Sequence, residues 1–167
     1  PTSGRLTVNG EALDHFGYAA WWKSTAHVAQ EVFLFDTSIH DNITLQEKST
    51  PADIIFLERI IKICQLKPLI DGNSQGFHRQ VGERGKKLSG GQIQRIGIAR
   101  ALFKKPKVLI LDESTSALDK ATERSLLLAL KTFDKNMIVI MITHDESTLS
   151  FCDTVYSISE LNLKKKL

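Results

Sequence analysis

The chain has 167 residues, of which 42% are hydrophobic, 25% are charged and 7% are aromatic. These values exclude a disordered or low-complexity chain and fit a domain of ordinary size. The formal net charge of +3 is too small to indicate a nucleic-acid-binding or membrane-adsorbing surface. Cys64 and Cys152 lie among apolar neighbours, which favours a reducing compartment over a disulfide framework.

The N-terminal region predicts a small antiparallel layer followed by a buried strand. Residues 5–9 alternate between apolar and polar side chains and run into Asn9-Gly10, a signal for a tight hairpin turn. A further strand is predicted from Thr25 to Gln30. Residues 33–44 have mixed character, and we expect them to form a loop.

Two helices are predicted in the middle of the chain. The first begins at Pro51, because Pro is favoured at the first helical position and Thr50 is a good N-cap. The second runs from about Gly90 to about Lys104. The apolar face of the first helix is expected to comprise Ile54, Leu57, Ile61 and Cys64.

The C-terminal part predicts a parallel sheet. Val108–Leu111 and Met137–Ile142 are continuous apolar runs, which are typical of strands buried on both faces. An apolar helix over Leu126–Phe133, capped by Asp119, separates them and completes a βαβ unit. A last strand is expected at Thr154–Ile158. The fold class is therefore α/β, with a mostly helical insert between residues 40 and 105.

Two acidic residues, Asp112 and Glu113, follow the buried strand directly. Parallel sheets bind ligands at the carboxyl ends of their strands, where one carboxylate can hold Mg²⁺ and the other can activate a water. The alternative is that an acid here caps the next helical turn, which is the better explanation of a single acid. Two consecutive acids after a hydrophobic strand favour the site.

A glycine-containing segment, Leu88-Ser89-Gly90-Gly91-Gln92, opens the second predicted helix. Glycines allow close approach of a ligand, and the free N–H groups of a helix N-terminus favour phosphate. Taken alone, the segment is more often a simple helix entry. It gains weight from its order and spacing relative to the acidic pair.

These segments together resemble the ATP-binding-cassette (ABC) ATPases. Residues 88–92 resemble the signature motif of that family, Asp112-Glu113 its Walker B pair and residues 116–119 its D-loop. His144 resembles the switch histidine, and Gln30 the Q-loop glutamine. The motifs occur in the family's order and span residues from about 4 to 158.

The resemblance implies a role for each matching residue. Asp112 would hold Mg²⁺ through water, and Glu113 would be the general base. His144 would contact the γ-phosphate of ATP, and Gln30 would touch the Mg²⁺ or the attacking water. In the family the signature and the D-loop serve ATP bound by the opposite subunit of a head-to-tail dimer, which here concerns Ser89, Gly90, Gly91, Gln92 and Asp119.

Two further segments resemble those of exporters within this family. Residues 35–43 are similar to the segment after the Q-loop, and residues 81–85 are similar to the X-loop that meets the membrane domain. Ala29 stands where Pro often precedes the glutamine. Gln80 stands where exporters commonly carry Glu, which puts the usual X-loop charge contact in doubt.

The phosphate-binding loop of such ATPases, G-x-x-x-x-G-K-[ST], does not occur in the 167 residues. Gly17–Ser24 has the spacing, but Trp22 replaces the second glycine. We therefore expect a P-loop NTPase-like, three-layer core with a mostly parallel sheet, a helical subdomain and a remnant of an antiparallel subdomain. The first strands and the P-loop of the domain are expected to precede a segment like Pro1–Gly10 and are missing from this sequence. The isolated piece would therefore be inactive.

The resulting prediction is a partial nucleotide-binding domain over residues 1–167. Residues from about 40 to 105 would form the helical subdomain with the signature, and residues from about 106 to 160 the core with Walker B, D-loop and switch histidine. The whole protein would use ATP and Mg²⁺ to drive export or lipid flipping. Its partners would be a second such domain and a transmembrane domain. The nucleotide-binding domain would lie at the cytoplasmic face of the membrane, and no nucleic-acid partner is expected.

Two alternatives remain at this point. One is a soluble cassette ATPase acting on DNA or ribosomes, which would carry long coiled-coil inserts or a second cassette. The other is a non-catalytic truncated cassette that acts as an interaction module by lending its signature loop to a partner.

Overall fold

The computed structural model describes residues 4–13, 15–45, 50–159 and 162–165. The α-helices are α1 (His15–Ser24), α2 (Ile39–Thr44), α3 (Pro51–Ile63), α4 (Lys67–Asp71), α5 (Gly90–Phe103) and α6 (Lys120–Phe133). The strands are β1 (Thr7–Val8), β2 (Glu11–Ala12), β3 (Thr25–Val28), β4 (Val108–Asp112), β5 (Ile138–Ile142), β6 (Tyr156–Ser159) and β7 (Asn162–Lys165). The α/β class predicted from the sequence is confirmed.

A parallel sheet of order β3-β4-β5 lies at the centre of the fold. Thr25 of β3 pairs with Val108 of β4, and Val108 pairs with Ile138 of β5. The β-branched and leucine-rich runs favour this pairing because they pack well on a pleated surface. Since the three strands run in the same direction, the residues that follow them meet at one edge of the sheet.

The two faces of this sheet differ. Leu109 and Leu111 are buried and belong to the main hydrophobic core on the face that packs against helices. On the opposite face Ile138, Ile140 and Ile142 are 60%, 45% and 50% exposed. The expectation that β5 is buried on both faces was therefore wrong, because its alternate residues point away from the helices.

Helix α5 packs against the sheet and against the helices before it. Its Ile96, Ile98 and Leu102 are completely buried. Its N-terminus is closed by a capping box, in which Ser89 Oγ accepts from the Gln92 N–H and Gln92 Oε1 accepts from the Ser89 N–H. The helix predicted from Gly90 is thus confirmed, and it is apolar on more than one side.

The segment predicted as a loop over residues 33–44 contains α2 instead. Ser38 caps this helix by accepting from the Asp41 N–H, and Ile39 and Ile43 are buried one turn apart. Asn42 is also buried and closes the preceding turn, because its side chain exchanges hydrogen bonds of 2.9 Å with the backbone N–H and carbonyl of Phe35. A short polar helix of this kind leaves little periodicity in the sequence.

Helix α3 begins at Pro51 as predicted, with Thr50 and Asp53 forming a second capping box. Its buried face differs in one position from the prediction. Leu57, Ile61 and Cys64 are buried, but Ile54 is 46% exposed and Ile60 takes its place in the core. Among the described residues, no helix is both long enough and apolar enough to cross a bilayer. The predicted boundaries of the subdomains stay a prediction.

Short hairpins lie near both ends of the chain. The β1–β2 hairpin is confirmed, and its turn residues Asn9 and Gly10 take the left-handed φ values of 54° and 84° that this kind of turn needs. The last predicted strand is observed slightly later, as β6, and it pairs antiparallel with β7. The sequence pattern did not indicate that second hairpin.

The contact between α5 and the segment after β3 predicts the effect of a substitution. A Cβ on Gly97 would lie 2.7 Å from Cγ2 of Val32, which is too close for van der Waals contact. We expect Gly97→Ala to lower the free energy of unfolding by about 1–2 kcal/mol, since overpacking outweighs the gain in helix propensity. Urea denaturation at low protein concentration measures the change.

Two further variants control this prediction. Adding Val32→Ala should recover part of the lost stability, because it removes the clashing methyl groups. Gly90→Ala in the same helix should be nearly neutral, since a Cβ there would lie 3.5 Å from the Ala117 Cβ, an ordinary contact. A Gly97→Ala protein as stable as the parent would contradict the packing described here.

Candidate functional site

Three of the predicted site residues form one hydrogen-bonded group at the carboxyl edge of the sheet. Gln30 Nε2 donates to Glu113 Oε2 at 2.8 Å, and His144 Nε2 lies 2.8 Å from Glu113 Oε1. These side chains follow three different strands. The Glu113 carboxylate is thus held from both sides, while the His144 side chain is 90% exposed to solvent. The arrangement leaves a carboxylate available to a ligand at this edge.

The backbone of Glu113 holds its side chain in this position. Its φ of 47° lies in the left-handed region, which non-glycine residues adopt at a cost of about 1 kcal/mol. Two hydrogen bonds fix the turn: the Glu113 N–H donates to the Ile142 carbonyl at 3.0 Å, and the Ser116 N–H donates to the Glu113 carbonyl at 3.2 Å. Pairing with the end of β5 therefore ties Glu113 to the strand that precedes His144.

Asp112, the last residue of β4, lies beside this group. Its Oδ2 is 3.7 Å from Nε2 of His27, and the two side chains are 41% and 48% exposed. Within the described residues no group of three or more His, Cys, Asp or Glu side chains is arranged to hold a metal ion. Exposed carboxylate oxygens still suit Mg²⁺, which commonly takes one or two protein carboxylates and completes its shell with water and phosphate.

His27 was not identified from the sequence. It is a half-exposed polar residue within a strand whose other residues, Thr25, Ala26 and Val28, are buried. That break in the apolar pattern of β3 is the signal that marks it. Its register partner on β4 is Ile110, two residues before Asp112.

The residues from Ser89 to Gln92 form a second group, at the N-terminus of α5. A Cβ on Gly91 would lie 3.0 Å from the Ala117 carbonyl oxygen and 3.2 Å from Leu118 Cδ2. The structure therefore gives a packing reason for this glycine, whereas the sequence suggested close approach of a ligand. Close packing of α5 against residues 117–118 needs a residue without a side chain here.

Gln94 strengthens the same contact, although no feature of the sequence pattern marks this residue. Its Oε1 accepts from the Ala117 N–H at 3.0 Å, and its Nε2 donates to Ser116 Oγ at 3.3 Å. The side chain is buried, so an unpaired amide there would be costly. These bonds connect α5 to the turn that follows Glu113.

Asp119 caps α6, as the sequence predicted. Its Oδ1 accepts from the Thr122 N–H at 2.9 Å, and hydrogen bonding to Thr122 lowers the pKa of the Asp119 carboxyl. Among the hydrogen bonds and ion pairs of the described residues, none joins Asp119 or Ser89–Gln92 to the group around Glu113. The predicted site residues therefore fall into two groups that are connected through residues 114–118.

The two segments that resembled exporter motifs contact each other directly. Ser38 and Gln80 form an isolated antiparallel bridge, the Ile39 N–H donates to the Arg79 carbonyl at 3.0 Å, and the Val81 N–H donates to the Thr37 carbonyl at 3.0 Å. The sequence identified both segments but not this pairing. It makes the region after Gln30 and the region before α5 one continuous backbone surface.

An open cavity of about 180 Å³ lies beside that surface, between β3 and α5. Phe33 on its wall is 55% exposed and stacks edge-on against Phe35, which is 51% exposed. Arg100 also lines the cavity and donates to the carbonyls of Phe33 and Asn42 at 2.9 and 2.7 Å. The cavity thus combines exposed aromatic rings with a fixed cation.

The segment with the approximate spacing of a phosphate-binding loop has another structure. Gly17–Lys23 lies inside α1, and Trp22 is 68% exposed on that helix. Helix α1 runs directly into β3. It therefore lacks the loop that would wrap backbone N–H groups around a phosphate.

Comparisons with known proteins agree with this geometry. The family model described as "ABC transporter" matches residues 1–116. The chain is 37% identical to the heterocyst differentiation ATP-binding protein HepA of Nostoc over 93% of its length. It is 38% identical over 98% of its length to the ATP-dependent lipid A-core flippase of Pasteurella multocida. It spans 25% and 28% of the lengths of these two relatives.

A solved structure is similar over almost the whole chain. A bacterial Atm1-family ABC exporter with ATP bound superposes with a TM-score of 0.87 at 32% sequence identity. The match covers 97% of this chain and 28% of the exporter chain. The present residues thus correspond to about a quarter of each longer relative.

The left-handed backbone at Glu113 predicts an unusual order of stabilities. Glu113→Gly should be about 1 kcal/mol more stable than Glu113→Ala, because both lose the side-chain contacts and only Ala bears the cost of a positive φ. Urea denaturation of the two variants gives the difference. At Asp112, which lies in β4, the order should reverse, since glycine weakens a strand. Equal stabilities at Glu113 would show that the strain is absent.

Proposed function

This chain belongs to the ABC transporter family, and we propose that it forms the C-terminal part of the nucleotide-binding domain of an exporter-type transporter. The whole protein would couple ATP binding and hydrolysis to export or to lipid flipping across a membrane. The observation that carries the proposal is the contact of Glu113 with both Gln30 and His144 at the carboxyl edge of the sheet.

Glu113 is the proposed general base. A base must lie within hydrogen-bond reach of the proton that it removes, and the Glu113 side chain is 26% exposed at the edge of the sheet, so a water can reach it. Gln30 and His144 each contact one of its oxygens at 2.8 Å and so fix its orientation. Gln30 would orient the attacking water, and Glu113 would receive the proton that this water loses.

Asp112 is the proposed Mg²⁺ residue. Its carboxylate has no lysine or arginine partner among the described residues, and only His27 approaches it, at 3.7 Å. Mg²⁺ and ATP, when bound, supply the reacting phosphoryl group and the cation that offsets its charge. Gln30, through its amide oxygen, would be a second oxygen donor at the same edge, and His144 would face the terminal phosphate.

The second group of residues is proposed to act on the nucleotide of an opposite subunit. Ser89 is exposed at the N-terminus of α5, where backbone N–H groups favour phosphate. Packing of Gly91 against Ala117 keeps this terminus next to the turn that leads to Asp119. In a head-to-tail dimer the N-terminus of α5 and Asp119 would therefore face the opposite subunit together. Gly90 and Gln92 belong to the same first turn.

The aromatic cavity is the proposed contact with a transmembrane domain. Phe33 and Phe35 offer exposed rings in the segment that leads to Ser38, which bridges to Gln80, and exposed rings suit the apolar face of an amphipathic helix. We place the domain at the cytoplasmic face of the membrane as part of the same proposal. The bridge would let a displacement at the membrane side reach Gln30 and α5 together.

The central test is Glu113→Gln in the full-length protein that carries the chain, purified and reconstituted in lipid vesicles. We expect the ATPase kcat to fall at least about 100-fold with a small change in KM, because an amide cannot accept the proton. The matched control is Glu58→Gln on the exposed side of α3, which should retain the parent rate. Phosphate release over a range of MgATP concentrations gives kcat and KM for both variants.

The outcomes of this test separate the alternatives. A Glu113→Gln protein with more than one fifth of the parent rate would overturn the assignment of the base. A parent protein that hydrolyses ATP without a membrane domain would favour the soluble cassette ATPase. No hydrolysis by the parent, together with stimulation of a partner ATPase, would favour the non-catalytic module.

A further inference from the structure

A cluster of charged side chains connects the first turn of α6 to the residues after His144. Lys120, the first residue of α6, forms an ion pair with Asp145 through Nζ and Oδ2. The same Nζ lies 3.2 Å from Glu123 Oε2 and 3.4 Å from Ser147 Oγ. Lys120 follows Asp119 and Asp145 follows His144, so this ion pair joins the neighbours of two predicted site residues.

Asp145 also organises the short 3₁₀ helix that follows it, Glu146–Phe151. Its Oδ1 accepts from the Ser147 N–H at 2.9 Å, and its own N–H donates to Thr143 Oγ1 at 3.0 Å. Hydrogen bonding to Lys120 is the main reason that the pKa of the Asp145 carboxyl is lowered, to about 2. The ion pair is therefore charged at every pH at which an ATPase works.

Among the side-chain contacts of the described residues, the His144 ring has a partner only in Glu113. Its side chain is 90% exposed, and its contact at 2.8 Å is with Glu113, which must be free to meet a water. Exposed ion pairs add little to the free energy of folding, so the network around Lys120 is poorly explained as a stabilising device. Glu123 differs from the other members because it is buried, and it fixes Lys120 from the α6 side.

Resting on the function proposed above, we propose that the Lys120–Asp145 ion pair is a positioning contact for the reaction. It ties the loop that carries His144 to the helix that Asp119 caps. When Asp119 engages an opposite subunit, the first turn of α6 and the His144 loop then take up their positions together. Without the ion pair, the His144 loop would keep its local hydrogen bonds around Thr143 and Asp145 but would lose this attachment to the first turn of α6.

The chain provides a matched control between the same two regions. Lys131, in the last turn of α6, forms an ion pair of 3.0 Å with Asp153 and lies 3.4 Å from the Phe151 carbonyl. This second ion pair also lies at the surface, with the Asp153 side chain 88% exposed, and it is distant in sequence from both His144 and Asp119. If attachment of α6 to the 3₁₀ helix were all that mattered, breaking either pair would have the same effect.

The test uses the full-length protein in vesicles, with ATPase rates measured over a range of MgATP concentrations. Lys120→Met and Asp145→Asn should each lower kcat about threefold to tenfold, with KM for ATP within about twofold of the parent. The melting temperature should stay unchanged in Asp145→Asn and fall in Lys120→Met, which also removes the partner of the buried Glu123. Lys120→Arg should keep most of the parent kcat. In the double variant Lys120→Met/Asp145→Asn the losses in kcat should not add, because both changes break the same contact. Lys131→Met and Asp153→Asn should leave kcat unchanged.

Several results would overturn the inference. They are a parent-like kcat in Lys120→Met, additive losses of kcat in the double variant, or an equal loss in Lys131→Met. If Lys120→Met does not accumulate as a folded protein, Lys120→Gln and Lys120→Arg decide the same question, since only the second keeps the charge. Failure of the proposed function is recognised separately, by a Glu113→Gln protein that remains active in the same assay.

Discussion

The parallel pairing of β4 with β5 is the constraint on which the rest of the site depends. It brings Asp112 level with Ile142, so that the next residue, Glu113, donates its N–H to the Ile142 carbonyl. That bond holds Glu113 in a left-handed backbone conformation and sets its carboxylate between Gln30 and His144. A shift of one residue between these strands would turn Asp112 to the other face of the sheet and separate the three side chains.

Helix α5 connects this edge with the second group of residues. On one side Gly97 lets Val32, just after Gln30, approach its backbone, and on the other Gly91 and Gln94 hold the turn over residues 114–118. The two groups share no direct bond among the described residues, so α5 is the rigid element between them. If α5 tilted relative to the sheet, Ser89 and the turn that leads to Asp119 would move together as a unit. Glu113 would stay in place with β4 and β5.

The sequence predicted the elements whose local chemistry decides their structure. The caps at Thr50 and Asp119 and the Asn9-Gly10 turn depend on neighbours within three residues, and all three are observed. It failed for α2, whose stability comes from tertiary bonds of Asn42 with Phe35 and Arg100. It also failed for the exposed face of β5, because an apolar run does not reveal which face is covered. Contacts such as His27–Asp112 and Lys120–Asp145 join distant segments and leave no periodic trace.

The open face of the central sheet has a consequence for the life of the protein in a cell. Ile138, Ile140 and Ile142 form a row of exposed branched side chains on an extended backbone. Extended apolar segments of this kind are what chaperones bind and what proteases sample when a protein is incompletely assembled. Contact of this face with further protein would therefore hide these side chains. Chaperones and proteases would then act on the unassembled domain and not on the assembled one.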